Sequence, residues 1–381
     1  MNAPKIDPEP LLEYLQDETK KTIFDFVRWA THRNTRRYAR HVSGLWRSGI
    51  IRSLRSPLLF VFFSSLSLVL YHTAKDRAWI SPSFPTLSLS STQPFTLSSL
   101  ALSLLLVFRT NASYARFDEA RTILGAILCR TRHLARQGLA WIDPKDADLI
   151  ALLERWTIAF TFALAVHLRP DGDVRKELQG VLLPSELAAL EEAEHKPSFV
   201  LSVLQHILPQ AGVSDYLQGC MNESLAQLET SLGSCERIFN TPIPLMYTRH
   251  TSRFLMLWIG IIPFMMWEAC GFASLILSPA IAFFLLGIEE IGVQIEEPFS
   301  ILPITYIASV AERNIREMVK KRELTRGIVG RGRRGVSWEG GLGGPLDGVM
   351  NGCNAVSGQQ SEGHFERAQK RCLFRTHFSS L

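Results

Sequence analysis

The sequence predicts an all-α integral membrane protein with about four transmembrane helices and a long helical soluble region. Three observations carry that prediction. Charge-free apolar stretches recur at bilayer length: Ser56 to Ala74 holds no acidic or basic residue but His72, and Ala78 to Phe108 holds none. Phe254 to Ala273 is interrupted only by Glu268, and Ala280 to Ile288 by nothing. Between the two pairs of stretches, apolar residues recur at helical spacing with no βαβ alternation and no internal repeat. Finally, Leu102 to Arg121 passes from apolar to charged with no turn residue, since neither Gly nor Pro occurs between Pro94 and Gly125. One rod therefore leaves a lipid-like environment and enters a polar one.

Composition agrees. Charged residues make up 20 % of the 381 residues, below the roughly 25 % usual for globular domains, and the mean hydropathy is slightly positive. The net charge of +5 is modest, so its distribution matters more than its sum. Six cysteines show no CxxC spacing and none stands near a His at a ligand interval, so neither a metal site nor a disulfide framework is expected. No cofactor is expected: GxxxxGK[ST], HExxH and GxSxG are missing, and the GxGxxG match at 330–335 lies in the basic tail with no βαβ pattern around it.

Residues 1–21 form an acidic, proline-containing extension that is neither signal nor transit peptide by composition, so insertion starts from an internal segment or from a start lying upstream. From Lys20 to Arg55 ten basic residues face a single Asp25, with Phe24, Phe26, Trp29, Tyr38 and Trp46 interleaved. Such a stretch also suits nucleic acid, but its place directly before an apolar segment favours an interfacial helix and a positive-inside signal; no nucleic-acid partner is expected. The spans are placed at about 56–74, 94–108, 254–275 and 279–295, as two hairpins. Pro94 starts the second, because proline suits a first helical turn. The soluble region covers 110–250, with helices at 148–168 and 213–239 and turns at Pro170–Gly172 and Lys196–Pro197. The second hairpin turns at Ser278–Pro279. Both termini and the soluble region share the basic side. From about residue 326 the chain is Gly-rich, basic and aperiodic, the composition of a disordered tail or of a wrongly included exon.

Four clusters are candidates for function. Leu97, Ala101, Leu104 and Phe108 fall on one helical face, as a dry constriction around an axis would require; packing against a neighbouring helix is the alternative. Arg109 and Arg116 lie seven residues apart and could draw anions to a pore mouth, although Arg116–Glu119 and Asp118–Arg121 have ion-pair spacing. The ion-pair role suits Arg116 and Arg121, and Arg109 is the better functional candidate. Arg249, His250 and Arg253 read as an interfacial anchor capping neighbouring helices rather than a proton relay. Glu289, Glu290, Glu296 and Glu297 lack the nucleophile or the loop of oxygen ligands that hydrolysis or an EF-hand needs, and are expected to pair with arginines.

Together the basic run His32–His41, the Pro94-started helix into FRTNASYARFDEAR, PIPLMYTRHTSRF at 242–254 and GVQIEEPFSILP at 292–303 resemble the bestrophin-like anion channels. Their likeness is strongest to the chloroplast branch of thylakoid voltage-dependent chloride channels and algal bestrophin-like proteins, over roughly residues 22–322, within a channel domain placed at 22–325. That resemblance implies a homopentamer with an axial pore, passing chloride, with bicarbonate or nitrate left open, across a membrane. The thylakoid is the expected membrane and the plasma membrane the alternative. It maps the narrow neck to Leu97, Ala101 and the residues one turn on. Two departures stand out. Animal members follow the Pro-Phe motif with an acidic run that clasps Ca²⁺, whereas here Ser300, Ile301, Leu302, Pro303 and Ile304 supply no carboxylate, so Ca²⁺-independent opening is expected. Asp118 also stands where many members carry a second aromatic. Against a secondary transporter, the chain lacks two related halves with broken helices. A pore-free membrane scaffold is the other rival, and an enzyme comes last for want of a catalytic constellation.

Overall fold

A computed structural model describes residues 26–44, 49–81, 83–89, 93–170 and 172–333. The extension at 1–21 and the tail beyond Arg333 lie outside the described residues. Among the described residues every regular element is helical. Two short helices come first, Phe26–Arg33 (α1) and Arg37–Ser43 (α2), so the basic preface is two helices rather than one. The break falls at Asn34, whose side chain accepts from the Arg36 N–H, a local bond that competes with helix.

Two long helices follow, Gly49–Asp76 (α3) and Gln93–Trp141 (α4). The soluble region holds Ala147–His167 (α5), Val174–Leu178 (α6), Pro184–Glu192 (α7), Lys196–Ile207 (α8) and Asp215–Asn240 (α9). Leu245–Cys270 (α10) and Ser274–Glu296 (α11) are the second apolar pair. Ile304–Lys320 (α12) ends the unit that closes at Arg322. The second unit begins at Glu323, one residue into the helix Arg322–Arg333 (α13), which runs past the tail boundary placed at 326 despite Gly327 and Gly330. Each glycine costs about 1 kcal/mol in a helix, which is why composition ended it early.

Three stretches are long and apolar enough to span a bilayer while leaving most of that window outside the protein core: α3, the first part of α4, and Leu245–Glu296, which holds both α10 and α11. Four spanning helices result. Helix α5 passes the same test of length and apolarity, but 67 % of its window is buried, against 17–28 % for the others. It is apolar all round because protein surrounds it, as the soluble assignment of 148–168 expected.

The second hairpin turns elsewhere than expected. α10 ends at Cys270 and a single 3₁₀ turn, Gly271–Ala273, reverses the chain. Gly271 has φ +51°, a backbone setting that side chains resist. Pro279 is instead carried inside α11 as its sixth residue, where its ring forgoes one intrahelical hydrogen bond. Pro197 likewise opens α8 rather than marking a turn. The loop between α3 and α4 folds onto this same end, where Leu89 N–H donates to Phe264 O at 3.2 Å, and His72, in the last turns of α3, stacks on Trp267 at 4.2 Å.

Two hydrophobic cores result. Leu54, Val61, Leu102, Leu106, Leu255, Ile259, Ile262, Ala282 and Leu286 join the four spanning helices. The other is larger and soluble, built on α5 and closed by α4, α8, α9 and α12. At its edge Arg155 pairs bidentately with Glu186 at 3.1 and 2.8 Å. Burial pushes the Glu186 carboxyl up, but the Arg155 guanidinium and the Leu183 N–H together hold it below the usual range. Cys235 lies fully inside this core, and burial first, then the Glu236 charge, pushes its thiol up to about 12. In the folded protein a maleimide at neutral pH should therefore label exposed Cys129 and spare Cys235 until the chain is unfolded. Equal labelling of both by peptide mapping would mean that this core opens readily.

Candidate functional site: a continuous helix and its charged collar

α4 runs through both cores without a break. At 1.5 Å per residue its 49 residues extend about 70 Å. In its apolar part it gives its own chain only a narrow stripe: Leu102, Leu106, Arg109 and Ser113 are buried, spaced by four, three and four residues. The opposite side is uncovered. Leu97 is 77 % exposed, Leu104 48 % and Phe108 60 %, and Ala101 is exposed between them. The serines there spend their hydroxyls on their own helix, Ser99 on Thr96 O at 2.7 Å and Ser103 on Ser99 O at 2.8 Å. The candidate neck face thus presents carbon outward and offers no free polar group of its own helix to a dehydrated ion.

Directly below, the buried stripe turns polar. Arg109 is 4 % exposed and its Nη1 meets Glu289 Oε1 of α11 at 2.5 Å, with Ser252 Oγ of α10 at 3.3 Å. Ser252 also donates to Glu289, so three helices converge on one carboxylate. Arg109 is therefore a compensated cation inside the protein rather than a bare charge at a mouth. Its position between the two cores explains this: a guanidinium leaving lipid must either reach water or find a carboxylate, and here α11 supplies one.

Arg116, two turns on, is also structural. Its Nη2 and Nη1 donate to Ile238 O and Thr241 O at the end of α9, at 2.6 and 2.7 Å, and its Nε to Glu296 O at the end of α11, at 3.1 Å. Carbonyls at a helix C-terminus have no intrahelical partner, so one guanidinium closes two helices at once. The expected Arg116–Glu119 pair does not form, because Glu119 bonds Arg237 of α9 at 2.5 Å. Arg121 reaches Asp118 at 2.7 Å, and both are largely exposed.

The other candidates part company with their expected roles. Arg249, His250 and Arg253 lie on the exposed face of α10 and cap no helix among the described residues. Tyr247 makes the inward contact instead, donating to Leu105 O at 3.2 Å. Among the described residues, Glu296 and Glu297 do not pair with arginines. Glu296 accepts the Ile243 N–H at 3.2 Å, and Glu297 accepts the Ser300 N–H at 3.0 Å as the cap of the 3₁₀ turn Pro298–Ser300. Glu290 accepts from Gln294 one turn on. Glu289 does pair with an arginine as expected, but sequence reasoning did not single out Glu289 or Ser252 as the partners of Arg109, nor Arg237 as that of Glu119. Only the burial expected of a polar residue inside an apolar window hinted at the first two.

The family model described as Bacterial/Fungal Bestrophin protein matches residues 28–317. The chain belongs to the bestrophin family. Among its relatives is voltage-dependent chloride channel 1, chloroplastic, of Arabidopsis thaliana, 34 % identical over 81 % of this chain and 76 % of the relative. A voltage-dependent anion channel-forming protein of Nostoc sp. is 35 % identical over 58 % of this bestrophin and 75 % of its own length. A crystal structure of a bacterial bestrophin homologue from Klebsiella pneumoniae, with a mutation, superposes with a TM-score of 0.62 at 26 % identity, covering 71 % of this bestrophin and 99 % of that chain. The long α4 and the two apolar hairpins are thus the frame of a bestrophin.

Proposed function

We propose that this bestrophin is a passive anion channel, assembled from five copies, whose neck is formed by Leu97, Ala101, Leu104 and Phe108 of each α4. The observation that carries the proposal is the lopsided burial of α4: one narrow stripe faces its own chain, and a broad apolar face with no charge is left uncovered. Around a symmetry axis such faces close a dry constriction, which gates and selects by the ease of stripping water from an ion. The Arg109–Glu289 pair then sets the inner end of that neck as a neutral, rigid collar. Chloride is the proposed ion, with bicarbonate and nitrate as further permeants. The chloroplast thylakoid is the proposed membrane, on the strength of the two chloroplastic relatives from Arabidopsis thaliana. Voltage is the proposed stimulus, from the names those relatives carry.

Calcium is not proposed as a requirement. Glu296 and Glu297 are committed to backbone N–H groups, and the five residues after Phe299 carry no carboxylate. Ca²⁺ prefers six to eight oxygen ligands, several of them charged. Purified protein in a planar bilayer, under a chloride gradient, should reverse near the chloride equilibrium potential and keep opening with a strong chelator on either side. Reversal near the cation potential would remove the anion-channel reading. Reversible loss of openings on chelation would remove only the calcium statement.

A further inference from the structure

We propose that His167, His195 and Glu236 form a binding site for a first-row transition cation of the zinc class. The three come from separate elements: His167 is the last residue of α5, His195 immediately precedes α8, and Glu236 lies just before the last turn of α9. Glu236 Oε1 lies 3.0 Å from His167 Nε2 and 2.6 Å from His195 Nε2. The three ligand atoms all fall within 4.8 Å of one another. A tetrahedral cation with bonds of about 2.0–2.1 Å sets its ligand atoms roughly 3.4 Å apart, so occupation needs outward shifts of a few tenths of an ångström to somewhat under 1 Å. The imidazole rings stand 4.6 Å apart at 52°, with their Nε2 edges converging on one oxygen. None of the three side chains is sealed from solvent, with exposures of 31 %, 41 % and 28 %, so a cation has a way in and water completes its coordination.

The donor set decides the cation. Two imidazoles and one carboxylate suit Zn²⁺ and its neighbours, whereas Ca²⁺ and Mg²⁺ prefer oxygen alone. In the metal-free state each Nε2–H donates to Glu236. His195 Nδ1 accepts the Ser198 N–H at 3.3 Å, capping α8. A cation on His195 Nε2 moves the ring proton to Nδ1 and gives up that long bond, while His167 Nδ1 has no hydrogen-bond partner among the described residues to lose when its tautomer changes. Occupation would tie three helix ends of the soluble region together. The next residue along α9, Arg237, pairs with Glu119 of α4, so the tie would reach the pore helix through one ion pair.

The test uses the full-length protein in detergent, stripped by a chelator and titrated with zinc chloride. One equivalent per chain should bind and raise the melting midpoint. His167→Gln and Glu236→Gln should each weaken zinc binding by about tenfold or more, the scale on which a lost ligand contact acts. Co²⁺ in place of Zn²⁺ should give visible bands of a four-coordinate nitrogen and oxygen site, lost in His167→Gln. Millimolar Mg²⁺ or Ca²⁺ should leave the zinc titration unmoved. If Glu236→Gln does not fold, His167→Gln carries the test alone. Absence of saturable uptake overturns the proposal, and so does zinc binding that is unchanged in His167→Gln, because the two imidazoles would then only share a carboxylate.

Discussion

Arg109→Ala should unfold or disassemble the protein in detergent, with a stability loss on the order of 3–5 kcal/mol, because it strands the Glu289 carboxylate among three helices. Glu289→Ala should cost a similar amount by stranding the guanidinium. The informative variant is the double exchange Arg109→Met with Glu289→Met, which removes both charges and keeps the volume. It should recover most of the loss, since a buried ion pair is dear to break and cheap to replace by apolar packing. Melting midpoints and size-exclusion profiles of the three variants read this directly. An Arg109→Ala protein that melts within a degree or two of the parent would mean that the collar is hydrated in the assembled state and that Arg109 is free to meet anions.

Leu97→Ala and Leu104→Ala should each raise unitary conductance several-fold and bring the permeabilities of large and small anions closer together. Shortening an outward-facing leucine widens a constriction and lowers the cost of wetting it. Leu102→Ala is the control on the same helix. Leu102 is 2 % exposed and packs with Leu106, Leu255 and Ile259, so its truncation should cost about 2–5 kcal/mol of stability and leave permeability ratios alone. Single-channel recordings with anion substitution separate the two outcomes. Unchanged conductance and ratios in both outward variants would place the neck on another helix.

The spanning helices and the continuous rod were legible in the sequence because both are local properties: a window without charge, and a run without Gly or Pro from Pro94 to Gly125. The soluble helices were legible from their spacing for the same reason. The site's partners were not. Arg109 and Glu289 stand 180 residues apart, and nothing local says which of Glu289, Glu290, Glu296 and Glu297 faces inward on α11. Ion-pair spacing offered Arg116 a partner at Glu119, but spacing along one helix cannot register that α9 ends close enough to compete for both. The turn of the second hairpin was misplaced for a related reason. Pro279 is the louder punctuation mark, yet Gly271 is the residue whose backbone can make the bend. The convergence of His167, His195 and Glu236 lay furthest from view, since it depends on where three separate helices stop.

The collar also divides α4 unequally. Arg109 is sixteen residues from Gln93 and thirty-two from Trp141. Pinned at that point by α10 and α11, an unbroken helix is a lever with a fulcrum one third of the way along. If it tilts as a stiff body, the end in the soluble region travels twice as far as the Gln93 end, and a force applied there is doubled at the proposed neck. Weak events far from the membrane, such as the making or loss of one contact near Trp141, are thereby geared down in distance and up in force at the constriction.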